Sequence, residues 1–266
     1  MAMMAPAHAA TGLLAGVLAT HAMSPLMDVG PLEVAAGAAI GAGAALLPDI
    51  DHPGSTVARA HGPLTAWLSR AARWASTETY YRTLTRHDTV ADGAHRFLWH
   101  TPAAALATGL AVGIGATLST WVLAGVLWFT IGLGVRGLAQ GLPRGRPSGL
   151  AAALLPRGLP RLRRHLLRWP VITAVAAAAT GVLLYAGASP GPYVGAVLAG
   201  GMVTGILGDA LTRSAVPLAW PVPVRGRRWA MVGLPRRMRF ATGTWPERVI
   251  GWGCAAATPL AGGALL

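Results

Sequence analysis

Seven apolar stretches divide this chain, at residues 9–27, 31–47, 101–118, 119–136, 170–188, 192–211 and 249–266. Most lie near the short end of the roughly 17–25 residues that a helix needs to cross the hydrocarbon core of a bilayer. Backbone amides and carbonyls find no water there, so such segments must close their hydrogen bonds internally, as helices. The pattern predicts an all-α fold: a polytopic helical membrane protein of about six to seven transmembrane helices, one integral membrane domain over residues 1–266. Ser24-Pro25, Gly30-Pro31 and Ser189-Pro190-Gly191-Pro192 supply turns between stretches. The third and fourth stretches meet at Leu118-Ser119-Thr120 with no strong breaker. The N-terminal run has no charged leader and no obvious cleavage site, and is read as a mature helix.

Composition agrees with this class. Charged residues make up 12% of the chain, against about 25% in ordinary soluble domains. The 35 glycines and few aromatics suit helices that approach closely through small side chains. A single cysteine, Cys254, excludes a disulfide framework or a thiolate zinc site within one chain.

The formal charge of +13 raises the question of nucleic acid, so the position of the basic residues matters. All 22 are arginine. When the stretches are threaded alternately, every arginine from Arg59 to Arg248 falls on the side that holds His8. The opposite connections, near residues 28–30, 118–120 and 189–191, carry none. The positive-inside tendency makes the arginine side cytoplasmic, with the N-terminus on it. Three segments of that side stand out. Residues 54–94 form a cytoplasmic loop with an interfacial helix, in which Leu64, Trp67, Leu68, Ala71 and Trp74 share one face and Arg70 and Arg73 lie on the other. Residues 137–169 and 213–248 are arginine-rich. In Pro156 to Trp169 the arginines alternate with leucines, a pattern suited to the lipid bilayer and its anionic lipids, which gain about 1 kcal/mol per basic residue near the surface. No recognisable nucleic-acid module accompanies the charge, so nucleic acid is disfavoured as a partner.

The residues able to carry chemistry gather at the same side. Leu47-Pro48-Asp49-Ile50-Asp51-His52-Pro53 closes the second stretch with two carboxylates and an imidazole. His95-Arg96-Phe97-Leu98-Trp99-His100-Thr101 opens the third. A spacing of five residues is about 140° on a regular helix, so His95 and His100 converge only if one of them precedes the helix. His8 precedes the first stretch and Asp209 closes the sixth. Four separate helix ends thus deliver His8, Asp49, Asp51, His52, His95, His100 and Asp209 to one face. Mixed imidazole and carboxylate ligands suit a divalent metal ion, zinc or manganese, which acidifies a bound water. The expected metal ligands are His8, Asp49, His52, His100 and Asp209, with Asp51 and His95 as acid or base and Arg96 binding an anionic substrate group. His21, on nearly the opposite helical face from His8, is left out. So are His61, His87 and His165, which have no partners at ligand spacing.

At these residues the chain resembles the LexA-binding, inner-membrane-associated metal-dependent hydrolase family of bacteria. The resemblance runs from His8 to about Glu247 and rests on LPDIDHP (Leu47 to Pro53), HRFLWHT (His95 to Thr101) and GDALTRSAVPLAWPV (Gly208 to Val222). It implies a multi-pass protein of the bacterial inner (plasma) membrane with a metal-dependent hydrolytic site and leaves the substrate open; the site chemistry is read as acting on a lipid or phosphoester. The family often has a histidine four residues before the aspartate of the GDALT block, where this chain has Gly205; the departure implies a site with fewer ligands, or an impaired one, unless the glycine serves close helix packing alongside Gly200, Gly201 and Gly208. The alternative is a non-enzymatic or degenerate metal-binding membrane protein, a scaffold or a transporter. Asp28, Glu33 and Asp209 all lie close to the ends of stretches, which argues against transport.

Overall fold

The computed structural model describes residues 4–145, 156, 158–187 and 190–264. Its helices are α1 (Ala5–Met23), α2 (Pro31–Ala44), α3 (Pro63–Thr83), α4 (Pro102–Leu118), α5 (Thr120–Gly141), α6 (Leu159–Leu166), α7 (Trp169–Tyr185), α8 (Gly191–Ala210) and α9 (Trp245–Gly263). Short 3-10 turns lie at Leu47–Asp51, Val57–Arg59, Leu98–His100 and Arg236–Met238. Among the described residues the only β-type pairing is isolated bridges in the 212–240 segment. Proline stands in the first turn of each of these helices except α5, where its missing N–H costs nothing and its fixed φ starts the helix.

A helix coincides with every predicted span. By length and apolarity, three are able to cross a membrane: α2 continued by its 3-10 turn (Pro31–Asp51), α5 and α8. A fourth is the pair α6 and α7 if counted as one broken span, bent by 88°. α4 is apolar but shorter. The weak boundary at Leu118-Ser119-Thr120 is a one-residue break: Ser119 is extended, and α5 starts at the next residue. α1 begins earlier than its apolar stretch, so His8 lies inside its first turns and not ahead of them. The calls on residues 146–155, 157 and 188–189, including part of the arginine-rich 137–169 segment, fall outside the described residues.

Small residues set the helix order. Gly12 meets Gly41 and Ala45, and Gly16 meets Gly37, so α1 and α2 pack antiparallel with their backbones nearly touching. Gly109 and Gly113 meet Gly195, Ala199 and Gly191 in the same way, which makes α4 and α8 antiparallel. Gly37 approaches Tyr193 while Gly201 and Gly205 approach Ala44 and Ala45, so α2 and α8 run parallel. The start of α1, the end of α2, the start of α4 and the end of α8 therefore lie together at one end of the bundle. α9 is tied to that end as well: buried Glu247 in its first turn accepts the backbone N–H groups of Met4 and Gly243.

α3 has an inverted pattern. It buries Thr65, Ser69, Ala72, Ser76 and Tyr80 against the protein and leaves Leu64, Trp67 and Trp74 exposed. A helix that turns small and hydroxyl side chains inward and tryptophan outward is built to face an apolar or interfacial medium.

Candidate metal centre

The end of α2 continues into the 3-10 turn Leu47–Asp51, whose tighter pitch sends Asp49 and Asp51 toward the bundle. His100 closes another such turn, Leu98–His100, one residue ahead of the Thr101 that caps α4 by accepting the Ala104 N–H at 3.1 Å. His95 and His100 both precede α4, so the mismatch of five-residue spacing on a helix does not arise.

The loop that carries them is held by an aromatic cluster. Tyr80 from α3 packs on Phe97 and Trp229, with ring centroids 4.4 and 5.5 Å apart. Trp220 stacks on Trp229 at 5.2 Å. Asp88 accepts the backbone N–H of Trp229 at 2.9 Å, which joins the 85–100 loop to the segment after α8. The Ser76 hydroxyl donates to Gly93 O and accepts from Leu98 N. Arg96 sits between these anchors at φ +67°, in the left-handed region that non-glycine residues seldom occupy.

His100 is fully buried and central. Its Nε2 lies 3.2 Å from Asp209 Oδ2 and 3.5 Å from Asp49 Oδ1, and its Nδ1 lies 3.9 Å from Asp51 Oδ2. On the inner side, His8 Nε2 is 3.5 Å and Arg96 Nη2 is 3.4 Å from Asp209 Oδ1. On the outer side, His95 Nδ1 is 2.6 Å from Asp51 Oδ1, and the His95 and His52 rings lie 4.9 Å apart. Asp49, His95 and His100 each offer a ligand atom within 4.8 Å of the others.

His52, foreseen as a ligand, stands beside the cluster at the exposed mouth. Its Nδ1 accepts the Gly54 N–H at 3.1 Å, so the neutral ring carries its proton on Nε2 and has no lone pair left to aim inward. Burial, followed by the His95 charge, lowers its pKa. His95, foreseen as acid or base, stands at ligand distance instead. All eight foreseen residues lie in or at the rim of one cluster.

The electrostatics ask for a cation. Three carboxylates, Asp49, Asp51 and Asp209, share a largely buried space with one guanidinium. Burial alone would lower the His100 pKa, but its contacts with Asp209, Asp49 and Asp51 outweigh it and push the value up to about 10. In effect, protons on imidazole supply the missing positive charge, and a divalent ion would replace them. Both ring nitrogens of His8 and of His100, Asp49 Oδ1, Asp51 Oδ2 and Arg96 Nη1 are buried with no well-aligned hydrogen bond. Buried polar atoms of this kind are normally satisfied. The donor set of imidazole nitrogens and carboxylate oxygens fits zinc or manganese.

A family model described as YdjM inner membrane protein matches residues 3–140, more than half of the 266-residue chain. The chain belongs to the YdjM inner membrane protein family. The description and the apolar helices together make it a bacterial inner-membrane protein. The matched region contains every candidate site residue except Asp209. No curated protein and no solved structure matches the chain.

One feature escaped the sequence reading. His61, set aside as a loop residue, is buried, with its ring 4.0 Å from that of Trp128 and its Nδ1 3.1 Å from Thr173 Oγ1. No spacing signal marks it, because its partners come from α5 and α7. Of the two roles the sequence offers for Gly205, lost ligand or packing glycine, the structure supports packing: a Cβ there would collide with the Ala45 carbonyl. A histidine does not fit on this backbone, and that correction removes position 205 from the site.

Proposed function

We propose that this protein is a membrane-embedded, metal-dependent hydrolase with its site at the cytoplasmic face. The observation that carries the reading is the convergence of four helix ends on a buried cluster of imidazoles and carboxylates, in which both ring nitrogens of His8 and His100, Asp49 Oδ1 and Asp51 Oδ2 lack well-aligned hydrogen bonds. In this reading Asp49, His95 and His100 hold the ion, and His8 and Asp209 close its inner side. A bound zinc or manganese supplies an acidified water and polarises the scissile group. Asp51 accepts from His95 Nδ1, which fixes the tautomer and leaves the Nε2 lone pair as the ring's ligand atom. Arg96 has one guanidinium nitrogen on Asp209 and a second, Nη1, unsatisfied. A strained backbone that aims a buried guanidinium into a polar site is what binding of an anionic group requires. Phosphoesters are the substrate class this supports.

The cytoplasmic assignment rests on the arginines, which flank the site end while the opposite connections have none. α6, with three basic residues in its last turn and an 88° bend to α7, would lie along the anionic leaflet if α7 crosses it.

The test is metal content and turnover of detergent-purified protein. Chelation should abolish hydrolysis of bis(4-nitrophenyl) phosphate, and zinc or manganese should restore it in the wild type but not in His100→Ala. Absence of bound metal together with absence of turnover in any metal would overturn the reading.

A further inference from the structure

The same 3-10 turns that present the polar cluster present an apolar slot on their other side. Ile50 lies between Asp49 and Asp51, and Trp99 precedes His100; both line a groove of about 450 Å³ that runs on past Leu64 and Leu68 of α3 to Val112 of α4 and Val126 of α5. Such a volume is within the roughly 300–1,000 Å³ of sites that hold small ligands. Its origin is in the packing: α4 is drawn onto α8 and α5 onto α2 by small residues, so the two helices diverge and leave a slot floored by Leu198 and Met202 of α8. Trp99 is fixed as part of the wall, since its indole N–H donates to Ala72 O at 2.9 Å.

We infer that this groove seats the acyl chain of a lipid whose phosphate-bearing headgroup lies at the metal cluster, so that the substrate is a membrane phospholipid and not a soluble phosphoester. The inference rests on the hydrolase reading and narrows its substrate. Two observations select a lipid as occupant. Ile50 and Trp99 of the groove wall are chain neighbours of Asp49, Asp51 and His100 of the polar site along the same two turns, which matches an amphiphile in which tail and headgroup are covalently joined. Its upper wall is α3, whose exposed Leu64, Trp67 and Trp74 mark the interfacial level at which a headgroup sits. Charge complementarity agrees, because Arg96 brings an unsatisfied donor to the headgroup end.

Gly125 offers a clean test. It lines the groove, and a side chain added there would meet open space. Gly125→Leu should therefore fold, gain helix propensity and fill the slot. Gly181→Leu on α7, also open and outside the groove, is the matched control. Chelator-treated, purified protein is labelled with phosphatidic acid carrying a diazirine in its acyl chain, and crosslinks are mapped by mass spectrometry. This readout needs neither metal nor turnover, so it fails independently of the hydrolase reading. Crosslinks should concentrate at Leu68, Val112 and Val126. They should fall severalfold in Gly125→Leu, because the leucine side chain takes the volume that the acyl methylenes would fill. Gly181→Leu should label like the wild type. A diacylglycerol probe with the same tail should label the groove more weakly. Crosslinks spread evenly over the apolar surface, labelling unchanged in Gly125→Leu, or equal labelling by the two probes would overturn the inference.

Discussion

Residue positions in the centre make separable demands. His100 touches Asp49, Asp51 and Asp209, so His100→Ala removes a ligand from the middle of the cluster. Metal affinity should fall by at least the 10–100-fold typical of a lost outer-shell partner. His52→Ala should cost much less, because its Nδ1 is already taken by Gly54. Elemental analysis of the purified variants distinguishes the two; equal metal loss in both would place His52 among the ligands. At position 205 the expectation is steric. Gly205→Ala should destabilise the protein by about 1–3 kcal/mol through overpacking against the Ala45 backbone. Gly205→His should destabilise it further and gain no metal affinity. Thermal melting in detergent, with calorimetric metal titration, reads both; a stable Gly205→His protein with tighter metal binding would return that position to the site.

Among elements, the least anticipated joint is the one made by His61. The residue sits just ahead of α3, at Gly62, whose φ of +61° and contact with the Trp169 ring require glycine. Its ring lies against Gly132 of α5 and reaches Thr173 of α7, locking the 3-10 segment to two helices. Burial lowers its pKa below the ordinary 6.5. The unfolded chain therefore binds more protons than the folded one in the window just below pH 6.5, and this joint loses stability as pH falls through it. His61→Phe keeps a flat ring and cannot titrate. The difference in melting temperature between wild type and His61→Phe should move in favour of the variant on going from pH 7.5 to pH 5.5. A difference that does not change with pH would mean that the joint is not proton-sensitive.

For the whole molecule the open question is direction across the membrane. The parallel and antiparallel contacts of α1, α2, α4 and α8 put the site at one end of the bundle, and the proposed function places that end in the cytoplasm on the distribution of the arginines. In a Cys254→Ser background, a cysteine replacing Gly145 should be protected from a membrane-impermeant thiol reagent in intact cells, and one replacing the exposed Tyr185 should react. The reverse pattern would invert the topology and move the site to the periplasmic side.

The apolar helices and the polar blocks at their ends were legible in the sequence because each follows from local composition: a backbone in lipid must be helical, and charge collects where spans end. The grouping of His8, Asp49, Asp51, His52, His95, Arg96, His100 and Asp209 was legible as well, since alternate threading sends those ends to one face. Tertiary structure alone decided which of them meet. His52 is turned aside by a backbone N–H two residues away, and His95 is held by Asp51 from another loop. It also decided that Gly205 serves packing and that His61 is buried, because both depend on which helix lies opposite, and chain order does not encode that neighbour.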